Sequence, residues 1–202
     1  LRKWSLGIAC FKWKGAQTAN VMKSLEVAQH IHVLYEDSLK ELLASLSCDV
    51  NMSPANEADW LDAPVALIDA GSEDMEIKLA LALELPMTVL AMTYPVPNIT
   101  VVDEESLEDW ISEMANQLIG RLKTKLMSHE QEITLGLPTT SFGVELNDLI
   151  EPGPTRFSSY IEVDGEACAF HIGVEFFSEE ISFVSEPVVV EDSLMESEIE
   201  LF

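Results

Sequence analysis

Over residues 109–128 the apolar positions recur every three or four residues. Ile111, Met114, Ala115, Leu118, Leu122 and Leu126 gather on one side of a helix turning about 100° per residue. The opposite side of that helix carries Asp109, Glu113, Asn116, Gly120 and Lys123. The stripe docks the helix onto a core and leaves a carboxylate, a side-chain amide and a glycine facing outward. A second amphipathic stretch, Ser24 to Ser47, places Val27, Ile31, Leu34, Leu39, Leu42, Leu43 and Leu46 near one stripe.

The remaining patterns predict strands. PVALIDAG (Pro64 to Gly71) and EIKLALALEL (Glu76 to Leu85) read as a strand pair joined by a turn, and PMTVLAMTY (Pro86 to Tyr94) as a short helix or strand. After the second long helix comes EITLGLP, with Pro138 at the strand's end. In RFSSYIEVDGEACAFHIGVEFF, Asp164-Gly165 between alternating apolar residues is a hairpin signal. FVSEPVVV adds an edge strand. This is an α+β arrangement, a mostly antiparallel sheet with two long helices on one face, in two pseudo-repeated halves of helix then strands. CDVNMSP follows the first helix much as QEITLGLP follows the second. Superposing Pro54 on Pro138 sets Leu25, Gln29 and His32 where the second half has Asp109, Glu113 and Asn116.

Composition narrows the function classes. A chain of 202 residues with 48% apolar content can bury one good core, and nothing in it requires two domains. No apolar run reaches the roughly 18 residues that span a bilayer. Cys10, Cys48 and Cys168 are far apart and belong to no CxxC or Cys/His cluster. They speak against a zinc site or a disulfide framework and fit a reducing compartment. Cys48 and Cys168 read as buried small apolar residues. His30 and His32 point about 200° apart on a helix and do not chelate one ion together, so no metal is assigned.

Charge divides the chain. Residues 1–21 hold Arg2, Lys3, Lys12 and Lys14 and no acid, whereas the whole chain has a net charge of −25. Met22 stands just before the helix signal of Ser24 and Glu26, so residues 1–21 read as an extension outside the fold. The alternative is a targeting peptide, because LGIAC loosely resembles a lipoprotein box, although Gly7 stands where an apolar residue is wanted. From Glu179 onward there are eight acids and no base. Residues 22–184 are therefore expected to form the domain and 185–202 an acidic tail, either solvated or docking through Leu194, Met195, Ile199, Leu201 and Phe202. The acidity argues against nucleic-acid or anionic-membrane partners, which need clustered Lys and Arg. Arg121, Lys123 and Lys125 are the one dense basic group.

The outward face of the second helix carries no Ser/His/Asp triad, and the chain has no GxxxxGK[ST] or GxGxxG segment to hold a nucleotide. Two carboxylates four residues apart do glycosidase-like work only inside a cleft, and these ride a convex surface. A site of this kind makes sense when a partner protein brings most of the machinery.

The spacing Asp109, three residues, Glu113, two residues, Asn116, twenty-one residues, Pro138 resembles the signature of the CheC, CheX and FliY phosphatases, which dephosphorylate the chemotaxis response regulator CheY. All four positions match, and accident would produce this on the order of a few times in a thousand chains of this size. With one centre and not two, the chain looks like CheX. The resemblance, spread over about residues 22–184, implies the same α+β fold, a homodimer, a cytoplasmic location and a phosphorylated CheY-like partner. It implies catalytic roles for Asn116, which orients the attacking water, and Glu113, which pairs with the regulator's lysine. Asp109 contacts the partner or supports Glu113, Gly120 allows close backbone approach, Lys123 steers an anionic partner, and Pro138 shapes the loop. No cofactor of its own is implied, the Mg²⁺ being the regulator's. The alternative is a binding module that kept the fold and lost the activity, as flagellar-switch relatives have.

Overall fold

The computed structural model describes residues 20–46, 50–51, 64–72, 77–95, 103–141 and 155–187. Residues 1–19, Cys48, Pro54 and the acidic run from 188 lie outside them. The chain enters through β1 (Asn20–Lys23) and passes directly into α1 (Ser24–Ser45). Strand pairing thus starts two residues before Met22. Lys23 is the N-cap, and the Glu26 carboxylate accepts its backbone N–H at 3.4 Å. Val27, Ala28, Ile31, Tyr35, Leu39, Leu42 and Leu43 form the buried stripe, while the expected members Leu34 and Leu46 pack at its margin. Ser38 interrupts the stripe at 0% exposure and satisfies its hydroxyl by donating to the Leu34 carbonyl at 2.7 Å.

After β2 (Val50–Asn51) come β3 (Val65–Ser72) and β4 (Ile77–Glu84), the expected strand pair. PMTVLAMTY resolves as a helix, α2 (Met87–Thr93), whose Thr93 accepts the Trp110 indole N–H at 3.0 Å. The second long helix, α3 (Glu104–Ser128), starts five residues before Asp109 because Asp103 caps it, its Oδ1 accepting the Ser106 N–H at 2.9 Å. EITLGLP forms only a two-residue strand, β5 (Thr134–Leu135), and Pro138 stands between it and β6 (Thr139–Ser141). The hairpin is β7 (Thr155–Val163) and β8 (Glu166–Phe176), turning at Asp164 (φ 49°) and Gly165 (φ 88°), where two successive positive φ angles make a type I′ turn.

The last strand among the described residues departs from expectation. It is β9 (Glu180–Phe183), earlier than FVSEPVVV, and it pairs with β1 in a separate two-stranded sheet. Its end is clasped by α3's C-terminus. His129 stacks on Phe183 with ring centroids 5.4 Å apart and bonds the Val184 carbonyl through Nδ1 at 2.6 Å, and Gln131 donates to the Ser182 carbonyl at 3.2 Å.

The main sheet runs β2-β7-β8-β4-β3-β5 with β6 also beside β3, every pairing antiparallel. Leu79, Leu81 and Leu83 of β4 and Phe170, Ile172 and Val174 of β8 face α1 and α3 across one hydrophobic core. A buried side chain of this kind contributes about 1.5–3 kcal/mol. The helices run antiparallel in a single layer, with Lys125 Nζ 2.7 Å from Glu41 Oε1 and Arg121 Nη2 3.2 Å from Ser45 Oγ.

The two halves exchange strands: β2, which follows α1, pairs with β7, and β5, which follows α3, pairs with β3. Burial and the helix C-caps, Leu46 and His129, give one correspondence between the two helices. Val27, Ala28, Ile31, Tyr35, Leu39 and Leu43 match Trp110, Ile111, Met114, Leu118, Leu122 and Leu126 at a shift of 83 residues. The Pro54–Pro138 superposition differs from this shift by one residue. At the 83-residue shift Glu26, His30 and Val33 of α1 take the places of Asp109, Glu113 and Asn116.

Candidate functional site

The apolar stripe of α3 is buried from Leu107 to Leu126, which turns the opposite face to solvent. Asp109, Glu113 and Asn116 are exposed there, and Gly120 and Lys123 are half-buried further along. Glu113 stands one turn beyond Asp109, about 6 Å along the axis. Among the described residues the Asn116 amide has no hydrogen-bond partner, so its donor and acceptor are both open to an incoming group.

Glu113 is held. Gln117, one turn onward, donates its Nε2 to Glu113 Oε1 at 3.0 Å. Sequence reasoning passed over Gln117, although an amide four residues beyond an acid on one helix face is a recognisable pairing. At Gly120 an added Cβ would meet nothing within 4 Å. The helix has an open notch there, and its Gly120 carbonyl is satisfied by the Thr124 hydroxyl at 3.0 Å.

The basic trio separates into two kinds. Arg121 and Lys125 are committed to α1, with Arg121 Nη1 4.0 Å and Lys125 Nζ 2.7 Å from the Glu41 carboxylate. Lys123 is in no ion pair among the described residues and lies beside the Gly120 notch. It is the cation this face presents in a strongly acidic chain.

Pro138 lies off the helix, half-buried at the entrance to β6, a strand in contact with α3. Two residues earlier the loop is fastened: the Gly136 N–H donates to the Asp69 carbonyl at 2.7 Å, and a Cβ on Gly136 would sit 3.0 Å from that oxygen. Leu137 between them is 87% exposed. Among the described residues no three His, Cys, Asp or Glu side chains are grouped to hold a metal, and no helix is long and apolar enough to cross a membrane. Cys168 is buried, its thiol directed to the Glu166 carbonyl.

No protein-family model matches the sequence, and no curated protein sequence matches it. Solved structures do. A CheX chemotaxis protein from Vibrio vulnificus superposes with a TM-score of 0.58 at 12% identity, over 70% of this chain and 97% of that one. A CheC-like superfamily protein from Shewanella sp. PV-4 gives 0.56 at 16% identity, over 72% and 97%. The CheX–CheY–BeF3–Mg²⁺ complex from Borrelia burgdorferi gives 0.52 at 11% identity, over 73% and 97%. The chain thus carries the fold of the CheC-like and CheX chemotaxis proteins.

Proposed function

We propose that this protein is a CheX-like phosphatase that hydrolyses the aspartyl phosphate of a CheY-like response regulator. The observation carrying this reading is the open Asn116 amide, one turn beyond a held Glu113, on the outward face of a helix in a CheX-like fold. The spacing to Pro138 supports it, as does the existence of a CheX structure in complex with CheY, BeF3 standing in for a phosphoryl group.

The regulator supplies Mg²⁺ and a lysine, which neutralise the phosphoryl oxygens, and its own aspartate is the leaving group. Hydrolysis then lacks an in-line water. Asn116 enters the regulator's site from outside and holds that water with one donor and one acceptor, remaining uncharged throughout. Glu113 pairs with the regulator's lysine and fixes the depth of entry. The Gly120 notch admits the regulator's backbone, and Lys123 steers the approach of an acidic surface. Asp109 extends the docking face by one turn, and a homodimer working in the cytoplasm completes the proposal.

The test follows phosphate loss from CheY-like regulators in Mg²⁺, with and without this protein and its Asn116→Ala variant. Faster loss that disappears in the variant supports the assignment. Regulators that bind but lose phosphate at their intrinsic rate would reduce the protein to a binding module.

A further inference from the structure

We infer that Gln117 is a positioning residue that aims the Glu113 carboxylate at the partner's cation, an inference that rests on the phosphatase reading above. Three side chains form a row at successive turns of α3: Asp109, Glu113 and Gln117. Like charge at Asp109 disfavours a Glu113 carboxylate swung toward the N-terminus. The Gln117 amide draws Oε1 the other way at 3.0 Å. The carboxylate is therefore held toward the C-terminal end of the row, with Oε2 left to accept from an incoming ammonium. A glutamate on a solvent-facing helix otherwise samples several rotamers, and each must be given up when the partner docks. Gln117 is half-buried, so part of its own freedom is already spent on packing. At the 83-residue shift the α1 counterpart is Leu34, which packs against the core and can donate nothing. The holding amide belongs to the half that carries Asn116.

The experiment compares wild type with Gln117→Met, which keeps length and apolar stem but removes the donor, in the Glu113 and Glu113→Gln backgrounds. The readouts are kcat/KM for phosphate loss from the regulator, thermal midpoint, and the NMR shifts of the Gln117 side-chain amide protons. Loss of one charge-assisted hydrogen bond predicts a fall in kcat/KM of about three- to tenfold at unchanged thermal midpoint, absent when Glu113 is already Gln. The amide protons shift toward those of a free glutamine in Glu113→Ala. Wild-type kcat/KM in Gln117→Met, or an equal fall in both backgrounds, overturns the inference. If neither Glu113→Gln nor Asn116→Ala slows the reaction, the phosphatase reading fails and the positioning role with it. The amide shifts still report whether the contact exists.

Discussion

The α1 and α3 halves share one scaffold and present opposite surfaces. At a shift of 83 residues, α3 offers Asp109, Glu113, Asn116, Gly120 and Lys123, and α1 offers Glu26, His30, Val33, Asp37 and Lys40. Each α1 counterpart of the ridge is closed or inert. Glu26 accepts the Lys23 N–H, His30 lies edge-on to Phe183, and Val33 is an aliphatic side chain at 56% exposure. Asp37 fills the place of the Gly120 notch and pairs with Lys40 at 3.4 Å. Packing dictates only the inward stripe, so duplicated helices keep their core positions in common while their outward positions diverge without cost to the fold. Under the proposed function, reactivity would belong to the few side chains that packing leaves undetermined.

The contrast breaks most sharply at the amide. Asn116→Ala should lower the phosphatase rate on the order of a hundredfold or more, as removal of a preorganised polar group does, whereas Val33→Ala should stay within about twofold. Single-turnover phosphate release measures both. Equal effects would mean that the two helices share the function.

The halves also differ on the sheet face away from the helices. Glu84 of β4 is 6% exposed, and burial pushes its carboxyl up to about 7, while burial and then the Arg156 charge push His171 of β8 down to about 4. Folding therefore favours protonated Glu84, and its contribution is lost as pH rises from about 4.5 through about 7. Neutral His171 contributes above about 6.5 and its contribution is lost as pH falls through about 4. Glu84→Gln should stabilise the protein at pH 8 by about 1–3 kcal/mol and by nothing at pH 4.5, read from denaturant midpoints at the two pH values. A gain that is the same at both would place the cost elsewhere than in ionisation.

Smaller effects sharpen the comparison at the notch. Lys123→Glu should slow association with an acidic regulator by about tenfold at low salt and far less at high salt, while Lys40→Glu, whose wild-type charge is already paired, should change little. Stopped-flow association across a salt series distinguishes them. Gly120→Ala should raise stability by roughly 0.5–1 kcal/mol, the helix-propensity gain at a position with open space, yet weaken regulator binding by intruding on the notch. A variant that is stabler and binds equally well would show the notch to be empty of partner.

Most of the architecture was legible because its periods are strong. The buried faces of α3 and of the β3–β4 and β7–β8 hairpins follow from regular apolar spacing, and Asp164-Gly165 announces its turn chemically. What escaped depends on contacts distant in sequence. β9 leaves the main sheet because His129 and Gln131, some fifty residues earlier, hold it at the end of α3. The ridge could be drawn from helical geometry alone, but Gln117's hold on Glu113 needed side-chain conformations.

The exchange of edge strands bears on how the chain can be divided. Each helix-and-strand half ends its sheet on a ribbon that only the other half supplies, β2 for one and β5 for the other. Severed between Pro95 and Asp103, neither fragment would own a complete set of backbone partners, and each would expose the helix face meant for the common core. Mixed, the two pieces would recognise each other by those vacancies, which makes this fold a natural split reporter whose reassembly restores the α3 ridge to its setting.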